Sequence, residues 1–216
     1  MSIEKRYNSV KSRINNAAVK LLAVSKKQPI NKIRQLYQLG HCTFGESYVQ
    51  EAVEKIKILS DLAIQWHFIG PIQSNKTKYL VQYFDWVQSV SSLKILTRLN
   101  KQRDPSRGKL NVLLQLKVGN EASKKGFDAA QLVAICQKQH EFQNIRIRGL
   151  MSIPKPSDVY KVQLKQFSQC KDVFEKMKTY VAVDTLSIGM SSDLEAAIES
   201  GSTMVRVGTG IFGKRE

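Results

Sequence analysis

Apolar positions along this chain follow two alternating rhythms. Short, nearly continuous apolar runs occur at 21–25, 42–45, 64–69, 86–90, 111–118, 145–150, 185–188 and 204–207. Between most of them the apolar residues recur every three or four positions, as in Ile30, Ile33, Leu36 and Tyr37, closed by Gly40, and in Tyr48, Ala52, Ile56 and Leu59. Leu93, Leu96 and Leu99 continue that period, as do stretches at 128–140, 157–180 and 191–200. The first rhythm predicts buried strands and the second amphipathic helices. Asp128 and Ser157 read as N-caps and Gly201 as a C-cap. Strands alternating with helices imply βαβ units and a parallel sheet. Eight such units of roughly 25 residues account for the chain and are the number that closes a (β/α)8 barrel. Ile3, Tyr7, Val10 and Ile14 share one face of an additional N-terminal helix. The expectation is one α/β domain over residues 1–216, a TIM (β/α)8 barrel with an extra helix in front. An open doubly wound sheet is the alternative.

Composition narrows the class. The 216 residues carry 34 Lys+Arg against 18 Asp+Glu, a formal charge of +16. No segment approaches the roughly 18–20 apolar residues of a membrane span, and the N-terminus has no apolar core of an export signal. Cys42, Cys136 and Cys170 are far apart and only three histidines occur, which argues against a zinc site or a disulfide framework. A reducing, cytoplasmic setting is expected, with no membrane partner. The lysines are spread along the chain with no block of five basic residues, which fits solvated helix faces. A basic nucleic-acid-binding module is the alternative, and it predicts steeply salt-dependent binding.

In a parallel barrel the chemistry sits where strands end. Lys26 and Lys27 follow the first strand, and either could project into the barrel mouth. A lysine leaving an apolar strand is partly desolvated, which favours the neutral, nucleophilic amine. After the seventh strand, Gly189, Met190, Ser191 and Ser192 open a helix; after the eighth come Gly208, Thr209 and Gly210. Such turns leave backbone N–H groups for an anion, and these two loops are the usual phosphate site of the barrel. Ordinary capping, with Ser191 as N-cap, is the other reading. Arg206 lies two residues before Gly208, a fixed donor or else the partner of a carboxylate such as Glu46, which stands alone after strand two. His67 reads as a buried structural imidazole, and His41 and His140 as surface residues. A nucleophilic lysine, a phosphate cradle and an arginine together suggest pyridoxal 5′-phosphate (PLP).

Six segments, AVSKKQP (23–29), FGESYVQEA (44–52), WHFIGPIQSNK (66–76), RGLM (148–151), LSIGMSSD (186–193) and VRVGTGIFG (205–213), resemble the signatures of the pyridoxal-phosphate homeostasis proteins. The resemblance runs from about residue 20 to the C-terminus. It implies a barrel like the N-terminal domain of alanine racemases, a bound PLP and no demonstrated turnover. By position, Lys26 matches the family's Schiff-base lysine, and Ser191, Gly208 and Thr209 match its phosphate-binding positions. Arg206 matches the arginine facing the pyridine nitrogen. Ser47 and Ser91 stand where the family often has Asn and Asp.

The resemblance implies a monomeric cytoplasmic carrier of PLP, with PLP-dependent apo-enzymes as recipients. In the racemases a second catalytic group comes from a C-terminal domain, and the chain ends soon after Gly213, so a carrier is expected in place of a racemase. A PLP-dependent racemase or lyase completed from within the barrel is the alternative.

Overall fold

The computed structural model describes residues 1–15, 17–119 and 125–213. The chain begins with α1 (Ile3–Ile14), capped by the Ser2 hydroxyl, which accepts from the Lys5 amide at 3.3 Å. Glu4 sits in its first turn and Lys11 and Arg13 in its last, complementing the helix dipole. Its buried face is the predicted stripe, Ile3, Tyr7, Val10 and Ile14.

Eight strands follow: β1 (Lys20–Val24), β2 (Thr43–Glu46), β3 (Gln65–Phe68), β4 (Trp86–Val90), β5 (Leu110–Leu116), β6 (Ile145–Ser152), β7 (Thr185–Ser187) and β8 (Met204–Val207). Each pairs in parallel with its sequence neighbours, and β1 pairs with β8. That last pairing, with Leu22 opposite Arg206, closes the barrel and rules out the open sheet. The outer ring is α2 (Ile30–Gln38), α3 (Val49–Ile58), α4 (Thr77–Tyr83), α5 (Leu93–Gln102), α6 (Ala129–Gln137), α7 (Tyr160–Lys178), α8 (Leu194–Glu199) and the single turn α9 (Thr209–Phe212). Among the described residues no helix is long and apolar enough to cross a membrane.

Caps follow the sequence in part. Asp128 caps α6 in a capping box with Gln131. Gly201, at φ 86, follows the end of α8, where the amides of Gly201 and Ser202 return to the carbonyls of Ile198 and Ala197. Ser157 is not an N-cap: α7 starts three residues later, and Ser157 accepts from the Val159 amide ahead of it. Ser191 is not one either; α8 begins after Asp193, whose carboxylate takes the Met190 amide at 2.6 Å.

The main core lies between the strands and the helices, around Phe44, Phe68, Phe167 and Phe174. Truncating one of these to Ala would cost about 3–5 kcal/mol. The lumen is different. A small apolar cluster of Trp86, Leu113 and Met151 is separate from that core and borders buried polar side chains, with His67 stacked on Trp86.

Candidate functional site

At the C-terminal mouth a cleft of about 290 Å³ is lined by Lys26, Ser191, Arg206, Gly208 and Thr209 together with Val24, Ile69, Ile153, Met190 and Ser192. All five residues singled out from the sequence therefore meet in one place. Larger clefts of about 520 and 550 Å³ open beneath α1 and between α2 and α3. Neither lies in the mouth, where parallel barrels do chemistry.

Lys26 is presented by a clamped turn. The Gln28 amide closes the turn on the Ser25 carbonyl at 3.0 Å, and Lys27 takes the left-handed conformation at φ 58. That bend sends the Lys27 ammonium over the Tyr48 ring, outside the cleft, and leaves Lys26 half-buried on its wall. The clamp is an ionic cluster between β2 and α3. The Lys55 ammonium donates to the Ser25 carbonyl at 2.8 Å, to Glu46 at 2.9 Å and to Glu51 at 2.6 Å. The Ser25 hydroxyl donates to Glu46 and the Lys27 amide to Glu51. Both neighbours of Lys26 are thus tied to one fully donor-satisfied lysine. Burial pushes the Glu46 carboxyl above its ordinary value, against the pull of Lys55 and the Ser25 hydroxyl.

The two glycine-rich turns form the opposite wall. Gly189, at φ 93, brings the strand-seven turn so near α8 that a Cβ there would stand 2.4 Å from the Ala197 Cβ. A Cβ on Gly210 would stand 2.9 Å from Val207 Cγ1 and 3.4 Å from the Ser191 hydroxyl, so the Ser191 side chain and α9 share a space that only glycine leaves open. Within α9 the Ile211 and Phe212 amides both return to the Gly208 carbonyl at 2.9 Å, so only the Thr209 and Gly210 amides, at its very start, lie ahead of any carbonyl of the turn.

Arg206 is buried on β8, inside the barrel. It donates through Nη1 to the Ser187 carbonyl at 2.6 Å and hydroxyl at 2.8 Å, and through Nη2 to the Ser152 carbonyl at 2.9 Å. Burial draws its guanidinium down to about 10, so it stays charged at neutral pH. It makes no ion pair with Glu46, which belongs to Lys55. From Arg206 a chain crosses the lumen: the Ser187 hydroxyl donates to Gln88 Oε1 at 2.8 Å, and Gln88 Nε2 lies 2.7 Å from His67 Nδ1. Since the guanidinium can only donate, Ser187 must pass its own proton to the Gln88 oxygen. The amide nitrogen then faces His67, whose Nδ1 accepts and whose Nε2–H points to Gln65 Oε1 at 3.2 Å. His67 is stacked on Trp86, and burial lowers its pKa to about 3.

The comparisons with known proteins come down on one side. The family described as alanine racemase, N-terminal domain, matches residues 1–216. A pyridoxal phosphate homeostasis protein of Pasteurella multocida is 43% identical over 230 residues, covering 100% of this chain and 99% of its own. The chain belongs to the pyridoxal phosphate homeostasis protein family. Among solved structures, PipY of Synechococcus elongatus without PLP superposes with a TM-score of 0.92 at 36% identity, covering 98% of this chain and 100% of that one. The same protein with PLP bound gives 0.89 at 34% identity over the same shares.

Two further sequence readings need correction. Glu46 does not stand alone but shares Lys55 with Glu51. His41 is not a surface residue: it is 8% exposed, receives the Tyr7 hydroxyl on Nδ1 at 3.4 Å and donates from Nε2 to the Thr43 carbonyl at 2.8 Å. The sequence alone assigns no role to Lys55, Gln88 or Ser187. Only the Glu51–Lys55 pair, four apart on a helix, left a readable signal. Among the described residues no group of three potential metal ligands comes together.

Proposed function

We propose that this protein binds PLP at the barrel mouth and holds it as an intracellular reserve, without amino-acid turnover. The observation that carries the reading is the convergence of Lys26, Ser191, Arg206, Gly208 and Thr209 on one cleft. The donor set fits the cofactor: an amine on one wall, a hydroxyl and backbone N–H groups on the other, a buried guanidinium below. Gly210 lets the anion turn pack closely, since a Cβ there would meet Val207, Ser191 and Val10 of α1. When bound, PLP supplies an aldehyde that condenses with an amine, its oxygen leaving as water, and a phosphate ester for the anion loops.

The chain's own residues then act as follows. The Lys55 cluster holds Ser25 and Lys27, which fixes the direction in which Lys26 reaches. Ser191 and the start of the α9 turn would hold the phosphate as donors. Arg206 spends three of its five N–H groups on Ser187 and Ser152, and the other two would serve a ring held in the cleft it lines. A permanently charged donor leaves a ring nitrogen unprotonated, which weakens the electron withdrawal that carbanion chemistry needs.

That electrostatic choice biases the site away from broad amino-acid chemistry. The scarcity of acid–base groups supports a carrier over a racemase. Among the described residues lining the cleft, Lys26 and Arg206 are the only ionisable side chains, and inversion at carbon needs a proton acceptor and a donor on opposite faces. We read it as a monomeric carrier that passes PLP to apo-enzymes. Free cysteines support a cytoplasmic location. The test is a PLP titration followed by absorbance, paired with an amino-acid racemisation assay. Saturable binding with no turnover above solution PLP is expected. Turnover at an ordinary enzymatic rate, about 1 s⁻¹ or more, would overturn the carrier reading.

A further inference from the structure

We propose that Arg6 and Arg13 of the N-terminal helix are positioning residues for the anion loops, and that through them α1 sets the preference for a phosphorylated vitamer over an unphosphorylated one. This rests on the PLP reading given above, and concerns residues outside the cleft.

α1 lies behind both turns. Arg13 Nη2 donates to the Ser191 carbonyl at 3.1 Å, while its Nε and Nη2 hold Glu195 of α8 at 2.8 and 3.1 Å. One guanidinium therefore ties the Ser191 turn to the helix that follows it. Arg6 Nε donates to the Ile211 carbonyl at 2.8 Å, and Nη2 reaches the Phe212 carbonyl at 3.5 Å. These are the closing carbonyls of α9. A four-residue helix cannot support itself and leaves such groups without intrahelical partners, so a cation on them fixes the turn and complements its dipole. Between the two arginines, Val10 Cγ2 lies 3.5 Å from where a Gly210 Cβ would stand. The front of each turn faces the cleft and the back of each is held by α1.

The contacts are poor candidates for global stability. Arg13 and Glu195 are 39% and 52% exposed in their side chains, and exposed pairs contribute little to folding. Their geometry is specific, however, since a guanidinium fork serves two acceptors in fixed directions. Ordering a loop ahead of time shows up in the affinity for whatever the loop binds. The ligand part concerned is the phosphate, not the ring or the aldehyde.

The experiment compares equilibrium binding of PLP and of pyridoxal, which lacks the phosphate, to the wild type and to Arg13→Ala and Arg6→Ala. Each variant is expected to melt, ligand-free, within about 3 °C of wild type. Each should weaken PLP binding about tenfold and leave pyridoxal binding within about twofold. Glu195→Ala, which frees Arg13 without removing it, should weaken PLP in the same direction by less, and it serves where an arginine variant does not fold. Equal losses for both vitamers, or an unchanged PLP affinity, would overturn the inference while leaving the site reading in place. A wild-type protein that binds neither vitamer would overturn both.

Discussion

The Lys55 ammonium donates to the backbone carbonyl of Ser25 at 2.8 Å, one residue before the lysine that lines the cleft. This links α3 to the site through the main chain and fixes the turn from outside the barrel. Lys55 is 5% exposed and Glu46 fully buried, so removing one partner strands the other's charge. Lys55→Ala should lower the unfolding free energy by about 3–5 kcal/mol, measured by urea denaturation at neutral pH. Glu46→Gln, which keeps acceptors and removes the buried charge, should cost less than half of that. Equal small effects from both would show that the cluster does not hold the turn.

His67 predicts an acid limit to stability. Its folded pKa, lowered to about 3 by burial and by the charge of Lys20, lies far below the unfolded value of 6.5. The unfolded chain therefore takes up a proton first as pH falls. The contribution is complete above pH 6.5 and is lost progressively towards pH 3, at about 1.4 kcal/mol per pH unit. His67→Gln should flatten the stability profile over that window by about one proton. Nitrogen NMR of the wild type should find His67 neutral at pH 5, with its proton on Nε2. A protonated ring at pH 5 would contradict the donor order derived from Arg206.

Gly210 offers a steric test of how the anion turn is packed. In Gly210→Ala the new methyl would stand 2.9 Å from Val207 Cγ1 and 3.4 Å from the Ser191 hydroxyl. Strain of about 1–3 kcal/mol is expected, divided between a modest fall in melting temperature and a larger loss of PLP affinity. Inorganic phosphate should compete with PLP in the wild type and compete less well in the variant. Undiminished competition would place the phosphate elsewhere.

The architecture was legible because each apolar run between 21 and 207 is bounded by polar or turn residues, and eight such runs admit few arrangements. The convergence of the candidate residues was legible for a topological reason. All strand ends of a parallel barrel share one face, so Lys26 and Arg206 meet although 180 positions separate them in the chain. What stayed hidden had no local signature. α4, with the sequence TKYLVQY, is short and has β-branched or aromatic side chains of weak helix preference at four of its seven positions. α9, TGIF, is too short to display a period. The choice between Lys26 and Lys27 depends on the left-handed bend at Lys27. The Gln88–Ser187 contact joins residues 99 positions apart across the lumen, and the burial of His41 depends on Tyr7, 34 positions earlier.

The central claim is most directly tested by reducing the PLP-loaded protein with borohydride and mapping the labelled peptide by mass spectrometry. The account predicts a visible absorption band that borohydride removes, with the vitamer fixed on Lys26; the band should be absent in Lys26→Ala and retained in Lys27→Ala. Label on any other amine, or a band that survives loss of Lys26, would contradict it.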